Sequence, residues 1–375
     1  MKAMLMQIAV IILNIIYLPF LPVKMKNKIT ILSRQSDKPS VDIKLLKAAL
    51  DDKNIETRVL TKRLNKSISG CIEYCFHMLV QMYHIATSKL LVLDGYCILA
   101  STLRKKKGQQ IVQMWHSLGA IKKFGYQSVG KPSGNSETVA KVMRLHEKYD
   151  FVIAPSRITA GYYSEAFNMP ENKIKLYGLP RIDYLLEPDE EAEHRLIEKY
   201  PQLQDKENIL YVPTFRRNSE VDVKELIEKA RLDEYNLIIR KHWLDKTDYS
   251  YAEEQGVIVD KHYSFMNWLK FCRKVITDYS AAAFEAAILK KELYFYIKDE
   301  DEYEENIGLN MNFAEEEISM YTYTDAGELW DSMGEEYDQQ KLTAFREKYV
   351  TIDTNKCTEN LVAFLRGLLE GRAEI

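Results

Sequence analysis

Polar residues that could bind an anion follow the apolar segment at 274–277, a predicted strand. Thr277, Asp278 and Ser280 come where this strand gives way to 281–289, a run of small and apolar residues typical of a helix. The first amides of a helix have no partner within it, and the helix dipole places positive charge there. The segment therefore predicts a phosphate site, although many strand-to-helix turns have no special function.

Three more polar clusters follow predicted strands and contain residue types that phosphate chemistry uses. One contains His116, the second contains Thr214 and Arg216, and the third contains Arg240 and His242. A histidine at a strand end can act as a general base near neutral pH. Arginine guanidinium groups bind phosphate oxygens through paired hydrogen bonds. A lone histidine is more often a surface or packing residue, but the three clusters of the second half of the chain would share the carboxyl edge of one parallel sheet. We therefore predict functional roles for His116 and His242. A pyrophosphate site is predicted in the second half, formed by His242, Thr214, Arg216, Arg240, Thr277, Asp278 and Ser280.

Short apolar segments alternate with helical patterns along most of the chain. Strands are predicted at 28–32, 57–60, 89–94, 110–115, 151–154, 173–176, 208–212, 235–239, 256–259, 274–277 and 292–296. Helices are predicted at 41–50, 72–86, 138–149, 158–167 and over much of 321–372. Apolar strands separated by helices are typical of parallel βαβ units. The predicted fold class is therefore α/β, with two Rossmann-type doubly wound domains and a ligand-binding cleft between them.

A charged stretch, after which the pattern restarts, divides the chain. We predict a membrane-associating apolar segment at 1–27, a Rossmann-like domain at 28–186, a linker at 187–207, a second Rossmann-like domain at 208–340 and a helical segment at 341–375. Two domains agree with the length of 375 residues, at roughly 150 residues for each domain.

The apolar run at 4–20 is broken by only two amide side chains. A spanning helix needs about 20 apolar residues, and no Ala-x-Ala-like cleavage site follows the run. Lys24, Lys26 and Lys28 come next, and anionic lipid of the cytoplasmic leaflet attracts such residues. We predict a peripheral or monotopic protein on the cytoplasmic face of the cell membrane. Whether the run spans the membrane or lies on it is open, and a buried core helix is the alternative.

Composition argues against several function classes. The net charge is −3, so the chain has no basic field typical of a nucleic-acid-binding protein. The five cysteines are scattered, and Cys71 and Cys75 have no second Cys or His pair with which to bind zinc. Asp299 and Asp301 form an Asp-x-Asp pattern, but they lie in an acidic run typical of a solvated helix start. We predict reduced thiols, no metal site and no cofactor.

The motifs resemble, in type and order, those of the CDP-glycerol glycerophosphotransferases of Gram-positive wall teichoic acid synthesis. Members carry a Trp-His-Gly-type motif followed by Leu-Lys-Lys, then Pro-Arg-x-Asp, Pro-Thr-x-Arg, basic-x-His and Thr-Asp-Tyr-Ser-Ser motifs, and finally an acidic-Tyr segment and a Gly. The matching residues here are Trp115-His116 with Lys122 and Lys123, Pro180-Arg181-Ile182-Asp183, Pro213-Thr214-Phe215-Arg216, Arg240-Lys241-His242, Thr277-Asp278-Tyr279-Ser280, and Asp301-Glu302-Tyr303 with Gly308. The resemblance covers 28 to about 313.

The resemblance implies a GT-B-like fold and a membrane-associated enzyme. Such an enzyme transfers glycerol phosphate or ribitol phosphate from CDP-glycerol or CDP-ribitol to an undecaprenyl-diphosphate-linked glycan acceptor, and CMP leaves. The first domain would face the acceptor, and the second would bind the CDP-alcohol donor. No further cofactor is implied, and a homo-oligomer is one option for the oligomeric state. The chain shows no long extra amino-terminal domain of the kind that large polymerases have, which favours a priming enzyme.

The resemblance also implies roles for single residues. His116 would take the proton from the acceptor hydroxyl. His242 would hold the pyrophosphate, together with Arg216 and Arg240, and offset the charge that grows on the leaving CMP. Both histidines are therefore assigned as catalytic. The residues assigned to substrate binding are Arg181, Thr214, Arg216, Arg240, Thr277, Asp278, Ser280 and Glu285, the last of them for ribose or polyol hydroxyls.

Four positions depart from the family pattern. Ser117 replaces a Gly, Trp243 replaces a Pro, Ala281 replaces a Ser, and Glu285 stands where Asp is frequent. Two other functions therefore stay open. One is a GT-B glycosyltransferase that uses a sugar nucleotide for a capsule or wall glycan. The other is a non-catalytic scaffold of a wall-assembly complex.

Overall fold

The computed structural model describes residues 2–65, 67–214, 223–241, 245, 247–351 and 355–372. The chain divides into two compact units. Unit 1 consists of Met1–Tyr184, Glu305–Gly308 and Thr351–Ile375. Unit 2 consists of Leu185–Glu304 and Leu309–Val350.

Unit 1 is built on a six-stranded sheet in which every neighbouring pair is parallel. Its strands are β1 (Lys26–Ser33), β2 (Glu56–Thr61), β3 (Ser88–Leu93), β4 (Gln110–Gln113), β5 (Phe151–Ala154) and β6 (Ile174–Leu176), in the order β2-β1-β3-β4-β5-β6. Leu91, Val92 and Leu93 are completely buried, as expected for a central parallel strand. All six strands were predicted from their apolar runs.

The helices along this first part of the described chain are α1 (Lys2–Tyr17), α2 (Val41–Asp52), α3 (Ile68–Thr87), α4 (Ile98–Thr102), α5 (Glu137–Val142), α6 (Arg157–Phe167) and α7 (Pro180–Leu186). Serine side chains fix four of the helix starts. Ser40, Ser67, Ser136 and Ser156 each accept a hydrogen bond from the third backbone amide of the helix that follows. These caps satisfy donors that have no partner inside the helix.

The helix predicted at 138–149 is wrong in its second half, because α5 ends at Val142. Beyond it, Arg144, His146 and Lys148 all have positive φ angles (47°, 54° and 74°). Such angles are incompatible with a right-handed helix. They turn the buried imidazole of His146 towards Phe167, with ring centroids 4.8 Å apart. Aromatic packing therefore overrides the helical pattern here.

Unit 2 contains a second sheet with only parallel pairs. Its strands are β7 (Glu207–Val212), β8 (Tyr235–Arg240), β9 (Ile258–Asp260), β10 (Lys274–Thr277), β11 (Glu292–Tyr296) and β12 (Thr322–Tyr323), in the order β12-β11-β10-β7-β8-β9. Its helices are α8 (Glu190–Lys199), α9 (Lys224–Glu228), α10 (Ser250–Glu254), α11 (Phe265–Phe271), α12 (Ala282–Ile288), α13 (Glu300–Asn306), α14 (Ala326–Ser332) and α15 (Gln339–Tyr349). Two units with parallel sheets confirm the prediction of an α/β protein with two domains.

The last helix, α16 (Cys357–Glu370), belongs to unit 1 and packs against α2 and β3. The segment predicted at 341–375 is thus shared, with α15 in unit 2 and α16 in unit 1. The stretch predicted as a linker, 187–207, contains α8 and belongs to unit 2.

Candidate active site

His116 follows β4 in unit 1, beside the end of β3. Its Nδ1 atom lies 2.8 Å from the backbone carbonyl oxygen of Asp94. A carbonyl oxygen only accepts, so Nδ1 carries the proton and Nε2 keeps its lone pair. The side-chain nitrogen of Gln35 also lies 3.2 Å from Nδ1, but both nitrogens are then donors, so this contact is not a hydrogen bond. The Asp94 carbonyl thus holds the ring in the tautomer that a general base at Nε2 requires.

The protonation state of His116 is set mainly by burial. Burial lowers the pKa of the imidazole to about 4, and the hydrogen bond to the Asp94 carbonyl opposes this effect. The ring is therefore neutral near pH 7 and able to accept a proton.

The backbone before His116 is strained. Trp115 has a φ of 62°, in the left-handed region that a bulky residue rarely adopts. Gln113 holds this conformation, because its Oε1 accepts from the Trp115 amide (3.0 Å) and its Nε2 donates to the Gly95 carbonyl (3.1 Å). The indole also stacks on Phe124, with centroids 4.7 Å apart. Ser117 is not among the residues with positive φ, so the serine needs no glycine-like backbone.

Arg181, predicted to bind substrate, lies at the start of α7 and contacts Asp42 at the start of α2. Its Nε and Nη2 atoms donate to Asp42 Oδ2 over 2.9 and 2.6 Å, and its backbone amide donates to Oδ1 over 2.8 Å. Nη2 also donates to the backbone carbonyl of His116 (2.9 Å). The structure thus brings together two predicted residues and Asp42, which the sequence analysis missed. An acidic residue in the first helical turn is too common to be a signal.

Asp94 is a second residue that the sequence analysis missed. Its side chain is buried, and neither carboxylate oxygen has a hydrogen-bond partner within the described part of the chain. Burial raises the pKa of Asp94 to about 6. In the sequence it appeared only as the last residue of a predicted strand.

In unit 2, Thr277 and Asp278 shape the ends of two neighbouring strands, β10 and β7. The Thr277 hydroxyl donates to the Val212 carbonyl over 2.8 Å, and Asp278 Oδ1 accepts from the Thr214 amide over 2.8 Å. The hydroxyl oxygen of Thr214 is buried and has no hydrogen-bond partner among the described residues. The Thr214 hydroxyl is therefore able to bind a further group at the end of β7.

The turn between β10 and α12 is tightly packed. Ser280 Oγ accepts from the Ala282 amide over 3.3 Å, and the Tyr279 hydroxyl donates to Asp299 over 3.0 Å. The Tyr279 ring stacks on Tyr303, with centroids 3.9 Å apart, which gives the tyrosine of the acidic-Tyr motif a packing role. Glu285 lies on α12, every residue of which is buried, and is itself 4% exposed.

Arg240 ends β8, the strand beside β7. Its Nη1 donates to the carbonyls of Lys241 (2.7 Å) and Asp260 (3.2 Å), whereas Nε is buried without a partner in the described part of the chain. Burial lowers the pKa of its guanidinium, and Asp260 opposes this shift. Arg240, Thr214 and Thr277 thus follow or end adjacent strands. Arg216 and His242 lie outside the described residues.

Two more motif residues meet in unit 1. The Lys123 amide donates to the Gly308 carbonyl over 2.8 Å. Gly308 has a φ of 87°, and a Cβ atom there would lie 2.7 Å from Lys123 Cδ. Only glycine therefore fits at this position without displacing the lysine. Within the described residues, no group of three or more His, Cys, Asp or Glu side chains could hold a metal ion.

Comparison with known proteins shows similarity over nearly the whole chain. Residues 16–366 match the family model for CDP-glycerol:poly(glycerophosphate) glycerophosphotransferase. The teichoic acid ribitol-phosphate primase of Bacillus spizizenii is 28% identical over 370 residues, which cover 94% of each chain. The teichoic acid glycerol-phosphate primase of Bacillus subtilis is 25% identical over 300 residues, which cover 78% of this chain and 77% of the relative. The solved wall teichoic acid polymerase TagF has a similar fold, with a TM-score of 0.72 at 21% identity over 100% of this chain and 98% of that one.

Proposed function

The chain belongs to the CDP-glycerol:poly(glycerophosphate) glycerophosphotransferase family, and from this premise we propose the reaction of this transferase. It moves glycerol phosphate or ribitol phosphate from a CDP-activated donor to a lipid-linked acceptor and releases CMP, in wall teichoic acid synthesis. The observation that carries the proposal is the neutral imidazole of His116, held by the Asp94 carbonyl with Nε2 able to accept a proton.

The chemical step follows from this arrangement. Nε2 of His116 takes the proton of the acceptor hydroxyl, and the oxygen attacks the phosphorus that carries the polyol. The bond from that phosphorus to the oxygen shared with CMP breaks, and CMP takes the electron pair. General-base help of this kind is typically worth about 10²–10⁴ in rate.

Unit 2 supplies the groups that we assign to the donor. The Thr214 hydroxyl and Arg240 Nε have no hydrogen-bond partner among the described residues and suit phosphate oxygens, which accept hydrogen bonds. Arg216 and His242 are proposed to offset the negative charge that grows on the departing CMP. Ser280 is proposed to orient the phosphates, whereas Thr277 and Asp278 contribute through the turn that they hold. Glu285 is proposed to bind ribose or polyol hydroxyls.

We favour a primase that adds one or a few units. The support is the match to a ribitol-phosphate primase over 94% of both chains. The polymerase relatives that match by sequence are covered over smaller parts of their length, for example 37% for the poly(ribitol-phosphate) polymerase of Bacillus spizizenii. Ribitol phosphate is accordingly the donor group to test beside glycerol phosphate.

We further propose that unit 1 lies on the membrane surface. Helix α1 with the turn up to Phe20 is apolar and long enough to span a bilayer. However, Val10 and Tyr17 are buried, and Asn14 donates to the Thr102 carbonyl over 3.3 Å, so one side of α1 packs on unit 1. The opposite side is exposed and apolar, as expected for a helix lying in the membrane interface.

Helix α3 also has an exposed apolar face, and α1 and α3 both pack against α4. The exposed apolar residues of the two helices are Met4, Leu5, Ile8, Ile11, Ile12, Ile15, Ile16, Ile68, Ile72, Phe76, Leu79, Val80 and Tyr83. Lys24 and Lys26 are exposed beside α1 and suit anionic lipid. Lys28, predicted to share that role, is instead buried, with its Nζ 2.7 Å from Thr87 Oγ1.

The proposed reaction is tested by measuring CMP release from CDP-ribitol and CDP-glycerol with a lipid-linked disaccharide acceptor analogue. We expect release from at least one donor and a loss of about 10²–10⁴-fold in His116→Gln. The matched control is His194→Gln, which changes an exposed histidine on α8. If the folded wild-type protein releases no CMP from either donor, the proposal fails.

A further inference from the structure

Asp42 binds Arg181, and one atom of the Arg181 guanidinium also binds the backbone of His116. Asp42 is 1% exposed, and its two oxygens accept three hydrogen bonds from Arg181. The Nη2 atom that binds Asp42 Oδ2 at 2.6 Å also donates to the His116 carbonyl at 2.9 Å. A carboxylate, a guanidinium and the peptide of the proposed base thus form one continuous chain of contacts.

A buried ion pair is an inefficient way to stabilise a fold, because desolvation of two charges offsets much of their attraction. Such a pair does hold a precise geometry, since a guanidinium has a rigid planar array of donors. The segment it contacts needs holding, because Trp115 is in a strained conformation immediately before His116. After His116 in the sequence, the backbone is held by Tyr163, whose hydroxyl donates to the Ser117 carbonyl over 2.9 Å.

We propose that Asp42 and Arg181 are positioning residues that hold His116 in place for the transfer reaction. The inference rests on the proposed function, in which His116 is the base. Arg181 fixes the peptide after the strained Trp115, and Asp42 fixes the guanidinium of Arg181. The imidazole consequently keeps its Nδ1–H bond to the Asp94 carbonyl, and Nε2 keeps its direction. A displacement of about 1 Å at a reacting group can cost about 10²-fold in rate.

This role differs from direct substrate binding by Arg181. A residue that only binds substrate raises KM and leaves kcat unchanged, whereas a residue that orients the base lowers kcat. The test therefore compares Asp42→Asn and Arg181→Lys in the full chain with Asp150→Asn. Asp150 is a suitable control because it directly precedes β5 and binds the start of β4, away from His116. Its carboxylate pairs with Lys105 and accepts from the Ile111 amide over 2.6 Å.

We expect kcat for CMP release to fall about 10- to 100-fold in Asp42→Asn and Arg181→Lys, with the donor KM within about threefold of wild type. Asp150→Asn should keep kcat within about twofold. Circular dichroism and thermal melting establish that each variant is folded. A raised KM at unchanged kcat in the two variants would assign Arg181 to the substrate and overturn the positioning role.

A second measurement does not depend on turnover. In ¹⁵N-histidine-labelled protein, the His116 signals are identified by their loss in His116→Gln. We expect the Nδ1-protonated form in wild type and Asp150→Asn, and a shift towards mixed tautomers in Asp42→Asn and Arg181→Lys. Unchanged His116 signals in the last two variants would overturn the inference even if turnover is lost. If wild type releases no CMP, the proposed function fails, and these signals alone decide whether the pair positions the imidazole.

Discussion

His116 titrates well below neutral pH, because burial lowers its pKa to about 4. A general base acts in its unprotonated form, so activity should fall as the pH falls through about 4. Between pH 6 and 8 we expect kcat/KM for CMP release to be independent of His116 ionisation. The measurement is a pH–rate profile of the wild-type protein. An acid limb centred near pH 6.5 that persists in Asp94→Asn would contradict this assignment.

Asp94 makes stability depend on pH in the opposite sense from an ion-paired carboxylate. Its pKa is raised to about 6 in the folded protein, against about 3.9 in an unfolded chain. The folded state thus binds this proton more tightly, and the associated stability is present below pH 4 and lost as the pH rises through 6. Asp94→Asn removes the titrating group while keeping its shape.

The stability difference to compare is the free energy of unfolding of Asp94→Asn minus that of wild type. We expect this difference to be about 1 kcal/mol larger at pH 8 than at pH 5. Urea titrations of both proteins at the two pH values measure the difference. Asp52→Asn, an exposed aspartate on α2, gives the baseline. An equal effect of Asp94→Asn at both pH values would show that Asp94 does not titrate in this range.

At the scale of elements, one threonine lies at the end of β10 and another follows β7. We expect one to contribute to stability and the other to donor binding. The Thr277 hydroxyl binds the Val212 carbonyl, whereas the Thr214 hydroxyl has no partner among the described residues. Thr277→Val should therefore cost about 1 kcal/mol of stability and change the donor KM little. Thr214→Val should leave stability unchanged or improved and raise the donor KM several-fold. Melting curves and donor titrations test both, and the reversed pattern would exchange the two roles.

The sequence predicts elements better than it predicts the groups around His116. Strands such as β3 and β10 are apolar runs whose burial on both faces is visible locally. The contact between Asp42 and Arg181 joins residues 139 positions apart, and no local pattern encodes it. Asp94 is likewise distinctive only through its burial. Local patterns therefore locate the strand ends, whereas the surroundings of His116 depend on tertiary packing.

For the whole molecule, the exposed apolar faces of α1 and α3 predict binding to lipid vesicles. We expect flotation of the full chain with anionic vesicles and weaker flotation with zwitterionic ones. Salt should reduce flotation only in part, because it screens the attraction of the exposed Lys24 and Lys26 but not the apolar contact. Replacing Phe76, which is 66% exposed on α3, by Ser should reduce flotation.

Met320→Ser is the control, since Met320 is 46% exposed in unit 2. Equal flotation of the wild-type, Phe76→Ser and Met320→Ser proteins would contradict a membrane role for α3.

Helix α16 has a consequence for biosynthesis. Unit 1 begins with the first residues of the chain, yet it includes this helix, which packs on α2 and places Phe364 against Phe151 of β5, with centroids 5.3 Å apart. A ribosome delivers α16 only after every strand of unit 2 has been made. Domains usually fold in the order of their synthesis. Here the apolar surface that α16 covers stays exposed until α16 itself has been synthesised. Unit 2 can therefore complete its fold before unit 1. Unit 1 is then the part of the nascent chain that most needs a chaperone.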